Sequence, residues 1–414
     1  MVLCSNITKG MFSTTRQQYA KYKTLETVYE SEESEAILQQ NTPADQCASA
    51  IRSMCLCVFH VLFMCIYVVL VMFFVYIFTI ASEMRSIPAC TRSLQLPTHT
   101  GCNREHVLCD KHYNEAVHAT MHNAFATTQD HILVAQHRGC MRSALMRGIR
   151  SFMLDVHLTS SGSVALCHYS CKIGKVSLSD TLQTFLEFLQ HNPREVVTIV
   201  WEMVPGSPKS AAGRALHSQW RQAMSESGLM PFMFSREQDR NAWPTLQRMI
   251  DDGTRMVSFS NFRAEHATKI GWDMWQARFF AQTPYDSLTR RQLEGNCLVR
   301  TVFTPAWTMP WQPLLVTNQL TAPAAIGVNT DKSAAFAHFT GIAALQKING
   351  EHLLWHRVHD CARCLARVPN FVVVDFWDSS GVLEVVHRLN HLSVDQRHRI
   401  LQGNSSACPV PATE

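Results

Sequence analysis

Charged residues are scarce in this 414-residue sequence. Asp, Glu, Lys and Arg make up 17% of it, whereas globular proteins average about 25%. Together with a hydrophobic share of 46%, this excludes a disordered chain, which needs low hydrophobicity and high net charge. The formal net charge is only +4, so the strong basic stripe of a nucleic-acid-binding protein is missing and we expect no nucleic-acid partner. Glycine (17) and proline (16) are too few for a collagen-like or low-complexity chain.

One long segment contains no Asp, Glu, Lys or Arg. It runs from Met54 to Ala81, 28 residues, and about 20 apolar residues suffice to span a bilayer core. Its length and lack of amphipathic period argue against a core helix, and its distance from the N-terminus argues against a cleaved signal peptide. We predict a transmembrane helix over 54–81, after a polar, disordered cytoplasmic tail (1–53) and before a linker (82–101).

The cysteines indicate the compartment of the C-terminal part. Two of the 15 precede the apolar segment and three lie in it, whereas ten follow. An even set with close pairs is typical of disulfides in an oxidising compartment. A zinc site at Cys361-Ala-Arg-Cys364 is the alternative, although no second such pair accompanies it. We therefore predict a single-pass membrane protein with a lumenal or extracellular C-terminal domain.

From about residue 100 the chain alternates β-branched runs with helical patterns, which is typical of βα units around a parallel sheet. We predict a TIM-type (β/α) barrel over 102–392 and a C-terminal tail over 393–414; a doubly wound sheet is the alternative. The predicted strands are Ala119–His122, Ser151–Val156, Val164–Cys167, Val196–Trp201, Met256–Ser260, Leu298–Phe303 and Phe371–Phe376. The predicted helices are Met141–Met146, Leu178–Gln190, Ala211–Ser227, Trp243–Ile250, Ala334–Lys347 and Val382–Leu389.

Polar side chains end several of the predicted strands, where the chemistry of a barrel is located. They are His122, Asn123, Asp155, His157, His168, Glu202 and Asp375. Two histidines can act as general base and general acid, and a carboxylate can fix the tautomer of one of them. The amide and carboxylate oxygens suit Ca²⁺ or Mg²⁺, which would neutralise charge on a phosphate. This set fits phosphodiester cleavage.

Several ordered motifs between Cys102 and Asn390 carry a family resemblance. They are Met121-His122-Asn123, Gly148-Ile-Arg150 with Met153-Leu-Asp155, Leu166-Cys167-His168, Asn192-Pro-Arg-Glu195 with Trp201-Glu202, and Pro369-Asn370 with Asp375-Phe376. Together they resemble the X domain of phosphatidylinositol-specific phospholipase C, in the plant and fungal secreted or membrane-attached branch. The resemblance implies a PLC-like phosphodiesterase barrel acting on a phospholipid or a similar phosphodiester.

The resemblance also implies roles for individual residues. His122 would be the general base, His168 the general acid, and Asp375 would orient His122. Arg150 would support the site or touch phosphate, or instead form a structural ion pair.

Asn123, Asp155 and Glu202 match positions that hold calcium in metal-dependent relatives. Met153 departs from the pattern, since those relatives have an acidic residue there. The lack of this carboxylate should weaken the binding of Ca²⁺ or Mg²⁺.

Disulfides Cys167–Cys171 and Cys102–Cys109 are plausible from their spacing. Three hypotheses remain. The first is a membrane-anchored phosphodiesterase for a phosphoinositide or glycosylphosphatidylinositol-like lipid. The second is a catalytically silent barrel that binds a lipid headgroup or a protein partner. The third, a glycerophosphodiester phosphodiesterase or sphingomyelinase-D-like enzyme, ranks last because Asn123-Ala-Phe replaces the acidic cluster expected after the first histidine.

Overall fold

The computed structural model describes residues 43–85, 89–130, 132, 135–168, 170–172, 174–204, 209–235, 242–262, 272–283, 297, 314–320 and 349–402. The chain divides into two compact units, 1–82 and 83–414.

The N-terminal unit contains the long helix α1, Pro43–Arg85. Its segment Met54–Val75 has a mean hydropathy of 2.8 and is not buried. By length and composition, this segment can cross a bilayer. The helix begins at Pro43, a residue favoured in the first helical turn, so residues 43–53 are helical and not part of a disordered tail as predicted.

The second unit is built on a ten-stranded sheet. Its strands are β1 (His118–Met121), β2 (Ser151–Leu158), β3 (Val164–Leu166), β4 (Val176–Ser177), β5 (Val197–Val204), β6 (Met256–Ser260), β7 (Asp273–Trp275), β8 (Phe280–Gln282), β9 (Leu314–Gln319) and β10 (Phe371–Val374). Eight of them are parallel, in the order β7-β6-β5-β2-β1-β10-β9-β8. This is the chain order followed around a ring, which is the order of a (β/α) barrel. The short strands β3 and β4 pair antiparallel with β2 and with each other.

Helices connect these strands. They are α2 (Met141–Arg147), α3 (Leu178–His191), α4 (Ala211–Glu226), α5 (Leu246–Asp251), α6 (Gln276–Phe279), α7 (Glu351–Cys364), α8 (Val382–Asn390) and α9 (Val394–Leu401). Side-chain oxygens cap several N-termini: Ser177 accepts from the Asp180 amide, and Ser393 with Gln396 forms a capping box.

Alternate residues along the strands divide the core in two. Val372 and Val374 of β10 pack with helical residues in one cluster. Phe371 and Val373 pack in a second cluster with interior residues from six other strands, including Met153. Because successive side chains of a strand point to opposite faces, the second cluster is the interior of the barrel. At the carboxyl ends of the strands, residues that continue this inward-facing alternation point into the open end of the barrel, which we call the barrel mouth.

The barrel fold class is confirmed, and so are the six predicted strands that lie within described residues. The predicted Leu298–Phe303 strand and Ala334–Lys347 helix lie outside the described residues. Strands β4, β7, β8 and β9 and helices α6, α7 and α9 were not predicted. Helix α5 begins after Pro244, at the Thr245 cap, and not at Trp243.

Two predicted boundaries also differ from the structure. The predicted linker is partly packed on the barrel, since Leu94 and Leu96 are buried in its outer core and Cys90 forms a disulfide with Cys140. The predicted C-terminal tail includes helix α9, whose Ile400 is buried.

Candidate active site

The first candidate histidine lies where two neighbouring strands end. Parallel strands β1 and β10 pair up to Met121 and Val374, so the next residues, His122 and Asp375, emerge side by side at the carboxyl end of the barrel. His122 Nδ1 lies 2.9 Å from Asp375 Oδ1, and their side chains are 17% and 6% exposed. This contact directs the Nδ1 proton of His122 towards the Asp375 carboxylate and fixes the tautomer of the ring.

Hydrogen bonds from neighbouring segments fix the backbone around His122 and Asp375. Asn349 Nδ2 donates to the Asp375 carbonyl at 2.8 Å, and the Phe376 amide donates to the Gln136 carbonyl at 2.8 Å. Phe376 has a φ of +49°, a left-handed conformation that costs a bulky residue energy and that the surrounding contacts must impose. His137 is fully buried and contacts the His122 carbonyl through Nε2.

The surroundings of His122 favour its charged form. Burial lowers the pKa of His122, but the nearby carboxylates, above all Asp375 and then Asp155 and Glu202, outweigh burial and raise it above its ordinary value. Burial lowers the pKa of the neighbouring His137. In this site the charged form of His122 is therefore favoured, whereas the neutral form of its neighbour His137 is favoured.

The second candidate histidine is fixed to the same mouth by Asn123 and Asp155. His168 follows β3 and is flanked by the Cys167–Cys171 disulfide. Its Nδ1 lies 3.0 Å from the Asn123 amide and 3.4 Å from Asp155 Oδ2. When the Asn123 amide nitrogen faces Asp155, at 3.0 and 3.1 Å from its oxygens, the amide oxygen accepts from His168 Nδ1 at 3.0 Å. Both His168 and His122 are thus anchored through Nδ1.

The candidate metal ligands come together in part. Asp155 and Glu202 are register partners on β2 and β5, with the parity of the barrel interior, and Asn123 contacts Asp155. Two carboxylates and an amide are donors that suit Ca²⁺ or Mg²⁺. Met153, two residues before Asp155, is 7% exposed in the interior core and supplies no oxygen. The three residues are of a kind that suits a hard cation, and Met153 adds no ligand to them.

Arg150 does not lie with the histidines, which corrects its assignment to the catalytic set. It precedes β2, and its backbone amide contacts the Ala119 carbonyl, three residues before His122. Arg150 alternates with Phe152 and Leu154, whose side chains face the helices outside the barrel. In this outer layer it pairs with Glu195, and its guanidinium lies 4.9 Å from the centre of the Phe188 ring. Arg150 is 3% exposed, and its role is that of the structural ion pair.

Sequence reasoning missed Gln136, His137 and Asn349. Gln136 Nε2 lies 3.4 Å from His168 Nε2, so this residue borders the second histidine. Gln136 and His137 lie in a loop and Asn349 just before α7, so no strand end marked them.

The disulfides support the predicted oxidising compartment. Cys167–Cys171 and Cys102–Cys109 are confirmed, and Cys90–Cys140 and Cys297–Cys361 are also present. Cys364 is disulfide-bonded as well. The Cys361/Cys364 pair is therefore no zinc site, since sulfur in a disulfide is not a thiolate ligand.

The fold and this mouth define a class: an α/β barrel with two carboxamide- or carboxylate-anchored histidines at the ends of its strands. The PI-PLC X 1 family model matches residues 108–390. The chain therefore belongs to the phosphatidylinositol-specific phospholipase C X-domain family.

Individual relatives are distant. A PI-PLC X domain-containing protein 1 of Arthroderma benhamiae is 24% identical over 300 residues, 70% of this chain and 90% of that protein. A PI-PLC X domain-containing protein of Arabidopsis thaliana is 22% identical over 325 residues, 74% of this chain and 67% of that protein. Among solved structures, a mutant phosphatidylinositol-specific phospholipase C of Staphylococcus aureus is 12% identical, with a TM-score of 0.42 over 67% of this chain and 93% of that one.

Proposed function

We propose that the chain is a phosphodiesterase that uses His122 and His168 as general base and general acid. The observation that carries the proposal is the anchoring of both imidazoles through Nδ1 at one barrel mouth, by Asp375 at 2.9 Å and by Asn123 at 3.0 Å. Such anchoring fixes the orientation and tautomer of both rings, which proton transfer through Nε2 requires.

The proposed reaction begins with proton abstraction. His122 Nε2 takes the proton of a substrate hydroxyl, whose oxygen attacks the phosphorus, and Asp375 stabilises the imidazolium that forms. As the bond from phosphorus to the leaving oxygen breaks, His168 Nε2 donates its proton to that oxygen. If the hydroxyl neighbours the phosphate on the same molecule, the product is a cyclic phosphate. Water then opens the ring with the two histidines in exchanged roles, which restores their protonation.

The proposed cation site consists of Asn123, Asp155 and Glu202. A Ca²⁺ or Mg²⁺ held there would neutralise charge on the phosphate. Asp155 and Asn123 also position His168, so the same residues serve the acid whether or not a cation is present. Because Met153 adds no ligand, we expect weak cation binding.

The proposed substrate is a phospholipid of the phosphoinositide or glycosylphosphatidylinositol-like kind, cleaved by a membrane-anchored enzyme. Three observations support this location: the apolar segment Met54–Val75, the disulfides, and the similarity, 24% over 199 residues, to a protein of Arthroderma benhamiae named an uncharacterized secreted protein. We infer a single span with the barrel in the lumen or outside the cell.

The test is turnover of radiolabelled phosphatidylinositol in mixed micelles by the full chain, with calcium and with a chelator. We expect release of cyclic inositol phosphate that falls on chelation and is abolished in His122→Ala. The control His352→Ala removes an exposed histidine of α7 and should keep full activity. Turnover by His122→Ala equal to that of the wild type would overturn the mechanism. Headgroup binding without turnover, by the wild type as well as by the variants, would favour the catalytically silent barrel.

A further inference from the structure

We propose that Glu105, His387 and His391 form a binding site for a zinc-type divalent metal ion, separate from the barrel mouth and independent of the proposed function. His387 lies in α8 and His391 directly after it. Residues four apart lie on one helix face, and the two rings are tilted by 39° with centroids 4.1 Å apart. Glu105 approaches them from a loop 282 residues earlier in the chain.

The distances between these three side chains match tetrahedral coordination. Glu105 Oε1 lies 3.0 Å from His387 Nδ1, and Glu105 Oε2 lies 3.7 Å from His391 Nδ1. Zinc bonds of about 2.0–2.1 Å at tetrahedral angles separate neighbouring ligand atoms by about 3.3 Å. The two observed distances lie on either side of that value, so an ion could enter with side-chain adjustment alone.

Glu105 has a feature that an ion would explain. Its Oε2 is buried and makes no hydrogen bond to any described residue, and a buried carboxylate oxygen in this state is costly. His391 Nδ1 lies 3.7 Å from this oxygen, beyond hydrogen-bonding distance. A cation between Glu105, His387 and His391 would satisfy this oxygen.

The loop that carries Glu105 is rigid. The Cys102–Cys109 disulfide closes it, and Cys102 and Glu105 exchange backbone hydrogen bonds of 3.2 and 3.0 Å. A ligand on such a loop is already in place, which reduces the entropy lost on binding. The histidine side chains, by contrast, are 62% and 43% exposed, so an ion can reach them from solvent.

The donor set selects the class of metal. Two imidazoles and one carboxylate suit Zn²⁺, Cu²⁺ or Ni²⁺, whereas Ca²⁺ and Mg²⁺ prefer oxygen ligands. His387 Nδ1 contacts the Glu105 carboxylate and His391 Nδ1 lies 2.8 Å from the His387 carbonyl. The Nδ1 protons of both rings must therefore move to Nε2 before the Nδ1 atoms can coordinate. The nearby Lys111 is a competing cation, but its Nζ donates to the Asn390 carbonyl.

The chain contains a matched control pair. His352 and His356 of α7 have the same spacing, with ring centroids 4.4 Å apart and Nε2 atoms at 3.2 Å. Among the described residues, no carboxylate completes a three-ligand cluster with them. The two pairs therefore differ in the third ligand.

The experiment uses the full chain in detergent, without a polyhistidine tag, stripped with a chelator and kept in excess Mg²⁺ to occupy oxygen-ligand sites. Zn²⁺ binding is measured by calorimetry and Co²⁺ binding by visible absorbance. We expect one ion per chain in the wild type and in His352→Ala, and about tenfold or greater weakening in His391→Ala and Glu105→Gln. Zn²⁺ should raise the Tm of the wild type and of His352→Ala only.

Three results would overturn the proposal: no Zn²⁺ bound by folded wild type, a Co²⁺ spectrum unchanged by His391→Ala, or an equal loss of binding in His352→Ala. Circular dichroism of each variant shows whether it is folded. Because the readouts are binding and Tm, failure here leaves the proposed phosphodiesterase activity untouched.

Discussion

Arg150 provides the sharpest test of how this barrel divides structural from catalytic residues. Its Nη1 donates to the carbonyls of Leu145 and Ile149 at 2.6 and 2.8 Å, and its Nε pairs with Glu195, which is fully buried. Glu195 also contacts His99 Nε2 at 2.8 Å. The substitution Arg150→Met would remove the guanidinium that pairs with the buried Glu195 carboxylate.

The expected cost follows from that burial. Breaking a buried ion pair by removing one partner costs about 3–5 kcal/mol, and each kcal/mol lowers Tm by roughly 2–4 °C in domains of about 150–250 residues and by somewhat less in larger ones. We therefore expect Arg150→Met to lower Tm by on the order of 10 °C. The folded fraction should keep its turnover number, because the arginine lies in the outer layer and not at the mouth.

Thermal unfolding followed by tryptophan fluorescence, together with turnover below Tm, measures both effects. Arg248→Met is the control, since Arg248 pairs with Asp252 at 2.8 Å but is 68% exposed, and such pairs contribute less than about 1 kcal/mol. Adding Glu195→Gln to Arg150→Met should recover part of the loss by removing the orphaned charge. An Arg150→Met variant of unchanged Tm and about 100-fold lower turnover would refute the reasoning and indicate a phosphate contact.

Two further predictions concern the histidines. Asp375→Asn removes the charge that raises the pKa of His122, so the acid limb of the pH profile of kcat/KM should move to lower pH while turnover falls roughly 10²–10⁴-fold; an acid limb that stays in place would contradict the pairing. Replacing both Cys167 and Cys171 by serine should release the segment carrying His168, lowering kcat much more than Tm, as turnover and thermal unfolding would show; unchanged kcat would mean that the disulfide does not position the acid.

Much of the site was predictable because the physics of parallel strands is simple. Runs such as Val196–Trp201 mark buried strands, and the carboxyl ends of parallel strands meet at one edge. That rule alone brings His122 beside Asp375 and Asp155 beside Glu202.

The same rule shows why Arg150 was misassigned. Arg150 belongs to a family motif, but it lies just before β2 and alternates with the residues that point out of the barrel. A sequence motif does not show to which side of the sheet a side chain points.

Other parts were not predictable from local pattern. The residues of β9, Leu314–Gln319, are all buried although half of them are polar, so neither alternation nor an apolar run marks the strand. Helix α7 buries Leu354, Val358 and Cys361 among histidines, arginines and acidic residues, which weakens its apolar face. Gln136 and His137 reach the site through an irregular loop, whose path depends on tertiary contacts such as the Phe376 amide.

The most direct test of the central claim separates the two histidine roles by leaving group. A general acid matters for a poor leaving group such as a lipid alkoxide and little for a good one such as p-nitrophenolate. We predict that His168→Ala loses roughly 10²–10⁴-fold in turnover of phosphatidylinositol but retains most of its turnover of inositol p-nitrophenyl phosphate, whereas His122→Ala loses turnover of both. Equal losses of His168→Ala on the two substrates, or full activity of either variant on the lipid, would contradict the account.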